Sequence, residues 1–70
     1  MTAYTPKVAK KKAKELKRLA KRLSECAESQ YMRDMATAIY RDAAAYASNS
    51  ARYEQAKKDL TEALAVWEKT

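Results

Sequence analysis

Glycine and histidine are both absent from this chain of 70 residues. Without glycine, the chain cannot form a phosphate-cradling loop of the P-loop or dinucleotide-binding type. Without histidine, no side chain has an ordinary pKa suited to acid–base catalysis at neutral pH. The carboxylates are scattered at positions typical of an exposed helix surface. We therefore expect no enzymatic activity, no catalytic residues and no cofactor.

Cysteine occurs once, at Cys26. One cysteine cannot form a disulfide within the chain, and one thiol without histidine cannot build a zinc site, so no metal is expected. We expect Cys26 to be a reduced thiol at the border of an apolar helix face, as in a cytoplasmic protein. No apolar run reaches the roughly 18 residues of a membrane span, and the N-terminus lacks the core of a signal peptide. The sequence therefore predicts a cytoplasmic protein with no transmembrane segment.

Large apolar side chains are few. Apolar residues make up 47% of the sequence, but fifteen of them are alanines. A domain of this size is marginal in stability when it depends on burial alone. Disulfides and metals are not available to stabilise it. Self-association into a homodimer is the remaining way to bury more apolar surface.

Helical spacing of apolar residues continues throughout the chain after Pro6. Thr5 followed by Pro6 predicts a helix start, because threonine caps the free N–H groups and proline is tolerated in the first turn. Ser29 predicts the start of a second helix. Asn49, in the left-handed conformation, and Ser50, as the next cap, predict a turn after it. We predict one all-α domain over residues 1–70, a compact three-helix bundle with helices near 6–28, 30–47 and 51–68.

A seven-residue repeat favours an alternative architecture. It continues unbroken through the segment from Ser48 to Ser50, with members Met32, Ile39, Tyr46, Tyr53, Leu60 and Trp67. One continuous helix of about 40 residues would be about 60 Å long and would need a partner for its exposed half. The alternative is therefore a helical hairpin with one long second helix, which dimerises. The poor helix propensity of Ser48, Asn49 and Ser50 favours the bundle.

Positive charge is concentrated in the first helix. Residues 1–28 contain nine lysines and arginines against three glutamates, whereas residues 29–70 contain six of each sign, so the first segment accounts for the net charge of +6. At about 100° per residue, one helix face is apolar, with Leu16 at its centre. Eight cations lie on the opposite arc: Lys7, Lys10, Lys11, Lys14, Lys17, Arg18, Lys21 and Arg22.

This arc predicts a non-enzymatic protein that binds an anionic partner. Lysines outnumber arginines on it by six to two, and no asparagine, glutamine, serine or threonine lies between them. Lysine suits phosphate groups, whereas base edges are read by arginine, asparagine and glutamine. The favoured partner is therefore nucleic-acid backbone, bound without strong sequence specificity. The alternatives are a phage-type regulator or inhibitor that docks on an acidic protein surface and, less favoured, a protein attracted to an anionic membrane.

Two tyrosines at the edges of the second apolar face are candidate protein-interface residues. Tyr31 and Tyr40 both flank the apolar stripe of the second helix. Exposed tyrosine is enriched at protein interfaces because its ring is apolar and its hydroxyl group is polar. If the partner is a protein, we expect a few such residues to dominate binding.

Overall fold

Helices make up nearly all of the chain that the structure, a computed structural model, describes, which is residues 4–68. Within that range the helices are α1 (Pro6–Cys26), α2 (Gln30–Arg41), α3 (Ala43–Ala47) and α4 (Ser50–Trp67). The predicted all-α fold class is confirmed. Every one of these helices between residues 4 and 68 is either too short or too polar to cross a bilayer.

The first helix begins where the sequence predicts and ends earlier. The Thr5 hydroxyl accepts a hydrogen bond of 3.4 Å from the Val8 N–H, and Pro6 occupies the first turn. The helix ends at Cys26 and not at residue 28, because Ala27 turns to an extended conformation (φ −74°, ψ 133°). Ala27 is buried there, so the turn carries an apolar residue into the core. Ser29 then caps α2 by accepting from the Met32 N–H.

The predicted helix over 30–47 is divided at Asp42. This residue has φ −103° and ψ 21°, outside the helical range, and it separates α2 from α3. Two backbone hydrogen bonds of 3.0 Å keep the helical spacing of four residues across the break. The Asp42 N–H donates to the Ala38 carbonyl oxygen, and the Tyr46 N–H donates to the Asp42 carbonyl oxygen. Aspartate is a weak former of helix interiors because its carboxylate competes for backbone groups. The buried alanines of both segments lie in the core on either side of the break, and both segments pack against α1.

The chain turns at Ser48 and Asn49, so α3 and α4 do not form one long helix. Asn49 is extended (φ −134°, ψ 125°), and its side-chain oxygen accepts from the N–H groups of Ala51 and Arg52 at 2.9 and 3.2 Å. The expectation of a left-handed Asn49 and a Ser50 cap is therefore wrong. Asparagine itself caps α4, because its side chain reaches the free N–H groups of the first turn. The turn keeps the three-segment bundle, with α2 and α3 together as its second segment, which is interrupted at Asp42.

The core lies on the faces that the apolar spacing predicts. Leu16, Leu23, Leu60 and Tyr53 are fully buried, and alanines from all four described helices fill the space between them. The members of the seven-residue repeat are all buried or half-buried, including Tyr46 and Trp67. Helix α1 packs against α2, α3 and α4, whereas α2 and α4 meet each other less closely. The apolar face of α1 is therefore covered, and its opposite face is open to solvent.

Candidate nucleic-acid interface

All eight cations predicted to share one face of α1 are exposed on that face. We call this the basic surface; its members are Lys7, Lys10, Lys11, Lys14, Lys17, Arg18, Lys21 and Arg22. Helical periodicity places them together because Leu16, Ala20 and Leu23 are turned into the core on the opposite side. The first turn of α1 contains no acidic residue, although a helix N-terminus favours negative charge. Helix stability alone therefore does not explain this charge pattern.

The one glutamate between these cations in sequence, Glu15, binds groups on α4. Its Oε1 accepts a hydrogen bond of 2.7 Å from the Tyr53 hydroxyl and lies 2.9 Å from Nζ of Lys57. The hydrogen bond from Lys57, and then that from Tyr53, lowers the pKa of Glu15 from its ordinary value. The carboxylate is therefore charged at neutral pH and is balanced by α4, so it does not neutralise the basic surface.

Lys12 belongs to this same network and not to the basic surface. Its Nζ lies 4.7 Å from the ring centroid of Tyr53 and 5.6 Å from that of Tyr4, distances typical of cation–π contacts. The Tyr4 ring meets the Tyr53 ring edge to face at 5.8 Å. A helical wheel of α1 is sufficient to separate Lys12 from the basic surface, because Lys12 lies about 40° from Leu16, inside the apolar sector.

Arg22 is the member of the basic surface that has an ionic partner. Its Nε and Nη2 donate to the two carboxylate oxygens of Glu68 at 3.1 and 2.5 Å. Both side chains are substantially exposed, so the pair adds little to stability. Among residues 4–68, no carboxylate forms an ion pair with the other seven cations. Their charge is therefore available to a partner.

One side of the basic surface borders a groove between α1 and the second segment, which consists of α2 and α3. A hollow of about 410 Å³ is lined by Pro6, Ala9, Lys10, Ala13, Lys14, Lys17 and Ala44. A second hollow of about 290 Å³ is lined by Lys21, Ser24, Thr37, Tyr40 and Arg41. Nζ of Lys17 lies 5.8 Å from the Tyr40 ring centroid and so links the two hollows. We call the two together the basic groove.

The two candidate interface tyrosines do not form one patch. Tyr31 and Tyr40 are both exposed, at 67% and 42%. They are nine residues apart on α2, which places them on opposite sides of the helix. Tyr40 lines the basic groove, whereas Tyr31 lies beside Asp34 and Met35. The structure therefore associates Tyr40, and not Tyr31, with the cations of α1.

A further hollow has a mixed lining. It measures about 540 Å³ and lies between the second segment and α4, with Met35, Ile39 and Tyr46 beside Asp42, Arg52 and Asp59. In the part of the chain that the structure describes, no three cysteine or acidic side chains converge as a metal ion would require. Cys26 is a half-buried free thiol whose Sγ lies 3.8 Å from the Leu23 carbonyl oxygen.

No family model, curated protein or solved structure matches this chain.

Proposed function

We propose that this chain is a non-enzymatic binding protein that holds nucleic acid by its phosphate backbone on the basic surface of α1. The observation that carries the proposal is the set of seven exposed cations that lack an ionic partner among residues 4–68. They repel one another unless an anion lies alongside. A polyanion with regularly spaced charges relieves this repulsion and releases its own condensed counterions on binding.

The composition of the surface supports backbone binding with little sequence preference. Six of the eight cations are lysines, which act as point charges, and Arg22 is already held by Glu68. A lysine ammonium group lacks the planar fork with which arginine recognises guanine. Contacts of this kind fix the position of a protein on nucleic acid but do not read its sequence.

A cytoplasmic location is part of the proposal. Nucleic acid is abundant there, and the free thiol of Cys26 is suited to a reducing compartment. An acidic protein surface is the alternative partner, and docking on it would make the chain a regulator or inhibitor of that protein.

The test is the salt dependence of binding to a mixed-sequence duplex, measured by fluorescence anisotropy. The basic surface allows about five or six phosphate contacts on one duplex face, which predicts a slope of log affinity against log salt of about −4.5 to −5.4. Replacing Lys10, Lys14 and Lys21 with glutamine should reduce the slope by about 2.7. These residues are exposed, so the variant should unfold at the same temperature as the parent.

The matched control removes the same amount of charge elsewhere. Arg33, Arg52 and Lys58 are exposed on α2 and α4, and changing all three to glutamine should leave the slope within about half a unit of the parent. Absence of binding at about 50 mM salt would refute the proposal. Equal losses in the two triple variants would also refute it, because they would mean that net charge and not this surface is responsible. Capture of a partner from lysate that survives nuclease treatment would favour the acidic-protein alternative.

A further inference from the structure

The basic groove has cations on both of its sides. The groove is lined from α1 by Lys10, Lys14, Lys17 and Lys21, over twelve residues and a rise of about 16 Å along the helix. Arg41 lines it from α2, on the opposite side. The other four cations of the basic surface, Lys7, Lys11, Arg18 and Arg22, do not line it. The groove can therefore enclose one extended anionic chain, with charges along one wall and across from it.

Small side chains keep the first hollow of the groove shallow and open. Ala9, Ala13 and Ala44 lie between its lysines. They provide an apolar surface with no bulky side chain standing between the ammonium groups. A flat ligand group can approach the backbone there without displacing a large side chain.

Tyr40 places an aromatic ring in the other hollow. Tyr40 is 42% exposed, although its neighbour Ile39 is buried in the core. Nζ of Lys17 lies 5.8 Å from the centre of the ring. Exposed aromatic rings beside cations are characteristic of surfaces that bind single-stranded nucleic acid, where bases stack on the ring and phosphates meet the cations.

The two hydroxyls near Tyr40 are unsuited to phosphate in this arrangement. Ser24 Oγ donates to the Lys21 carbonyl oxygen at 2.8 Å, and Thr37 Oγ1 donates to the Arg33 carbonyl oxygen at 2.9 Å. Each hydroxyl has only one hydrogen, so both oxygens are left as acceptors. An acceptor repels a phosphate oxygen but can receive a hydrogen bond from the amino or imino group of a base.

We infer that the ligand of the basic groove is single-stranded nucleic acid, with a base stacked on Tyr40 and the backbone held by the four groove lysines and Arg41. This inference rests on the proposed function and narrows it. In a duplex the bases are already stacked and paired, so Tyr40 would have no base face to contact. A single strand exposes both its phosphates and its bases, which matches the two kinds of group in the groove.

The experiment compares three labelled ligands of the same length, about 15 nucleotides, with the full chain at about 50 mM salt. They are a mixed-sequence single strand, its duplex, and an abasic strand that has the backbone without bases. The single strand should bind about tenfold more tightly than either of the others, which is the effect of one stacked base. Tyr40→Leu should remove this advantage, Tyr40→Phe should keep it, and both variants should bind the duplex as the parent does.

Tyr31→Leu is the matched control, because Tyr31 is exposed on the opposite side of α2. It should leave all three affinities unchanged. If the duplex binds as tightly as the single strand, or if Tyr40→Leu has no effect, the inference is wrong while the proposed function stands. If no nucleic acid binds, both are wrong. Equal binding of the abasic strand or of polyglutamate would overturn base stacking and leave only attraction between opposite charges.

Discussion

The Tyr53 hydroxyl donates a 2.7 Å hydrogen bond to Glu15, a residue 38 positions earlier in the chain. The bond connects α4 to α1 at the edge of the core, and Lys57 meets the same carboxylate oxygen. Tyr53 is fully buried, so its phenol group must have a partner when it is taken out of water. The network therefore serves the fold and also withdraws Glu15 from the basic surface.

This hydrogen bond predicts a loss of stability at alkaline pH. Burial, followed by the hydrogen bond to Glu15, raises the pKa of Tyr53 from 10.0 to about 12. The folded state thus binds the phenolic proton more tightly than the unfolded state does. The stabilisation that follows from this raised pKa is fully present below pH 10. It is lost as the pH rises to about 12, which lowers the free energy of unfolding by about 2–3 kcal/mol.

The measurement is urea unfolding of the parent and Tyr53→Phe at several pH values. At pH 7 the variant should be less stable by about 1–2 kcal/mol, because it lacks the hydrogen bond to a charged acceptor. The difference in free energy of unfolding between the two proteins should shrink between pH 10 and 12 and then reverse, since phenylalanine has no proton to lose. Parallel curves for the two proteins would contradict the raised pKa of Tyr53.

The cap of α4 predicts a defined cost for removing the Asn49 side chain. Asn49→Ala leaves the N–H groups of Ala51 and Arg52 without their described acceptor and should lower the free energy of unfolding by about 1 kcal/mol. Thr61→Ala, at an exposed position inside α4, is the control and should be neutral or slightly stabilising. If Asn49→Ala raises the melting temperature instead, the turn is not a stabilising feature and a continuous helix is preferred.

The thin core predicts strong sensitivity to the loss of one leucine. Leu60 is fully buried, so Leu60→Ala should cost about 2–5 kcal/mol, enough to unfold much of a 70-residue domain. Val66 lies on the same helix but is 65% exposed, and Val66→Ala should change stability by no more than about 0.5 kcal/mol. Circular dichroism during thermal unfolding measures both variants. Similar melting temperatures for the two would mean that Leu60 is not part of the core.

The groove predicts that equal charge changes on α1 will have unequal effects on single-strand binding. Lys10, Lys14 and Lys21 line the groove, whereas Lys7, Lys11 and Arg18 do not. Changing the groove set to glutamine should reduce the salt slope for a single strand by about 2 units, at about 0.7 per phosphate contact. The outer set should change it by less than half as much. A larger effect of Lys7, Lys11 and Arg18 would place the ligand outside the groove, on the part of the basic surface that these three residues form.

Much of the fold follows from local information in the sequence. Thr5, Pro6 and Ser29 determine where α1 and α2 begin, because capping depends on residues within one turn of the cap. Apolar spacing identifies the buried faces, including Leu16, Leu23 and Leu60, since side-chain direction around a helix axis repeats with the helical period. The same period places the eight cations of the basic surface on one exposed face.

The break at Asp42 and the groove itself depend on tertiary structure. No glycine or proline marks the break, and an aspartate at an exposed position is equally compatible with a continuous helix. Likewise, the helical wheel gives the direction of Lys17 and Lys21 about α1 but not the residues that face them. Tyr40 and Arg41 oppose these lysines only because α2 packs beside α1.

Charge pairing shows most clearly what the sequence determines and what only the tertiary structure decides. The sequence alone determines that α1 has nine cations and very few acids, and that eight of these cations share one face. Whether Glu15 neutralises that face depends on which groups lie next to its carboxylate. Those groups are Tyr53 and Lys57, which belong to α4 and are about 40 residues away in the sequence. Electrostatic interactions fall off with distance in space and not in sequence. The packing of α4 on α1 therefore decides that Glu15 is bound internally while the basic surface keeps its charge.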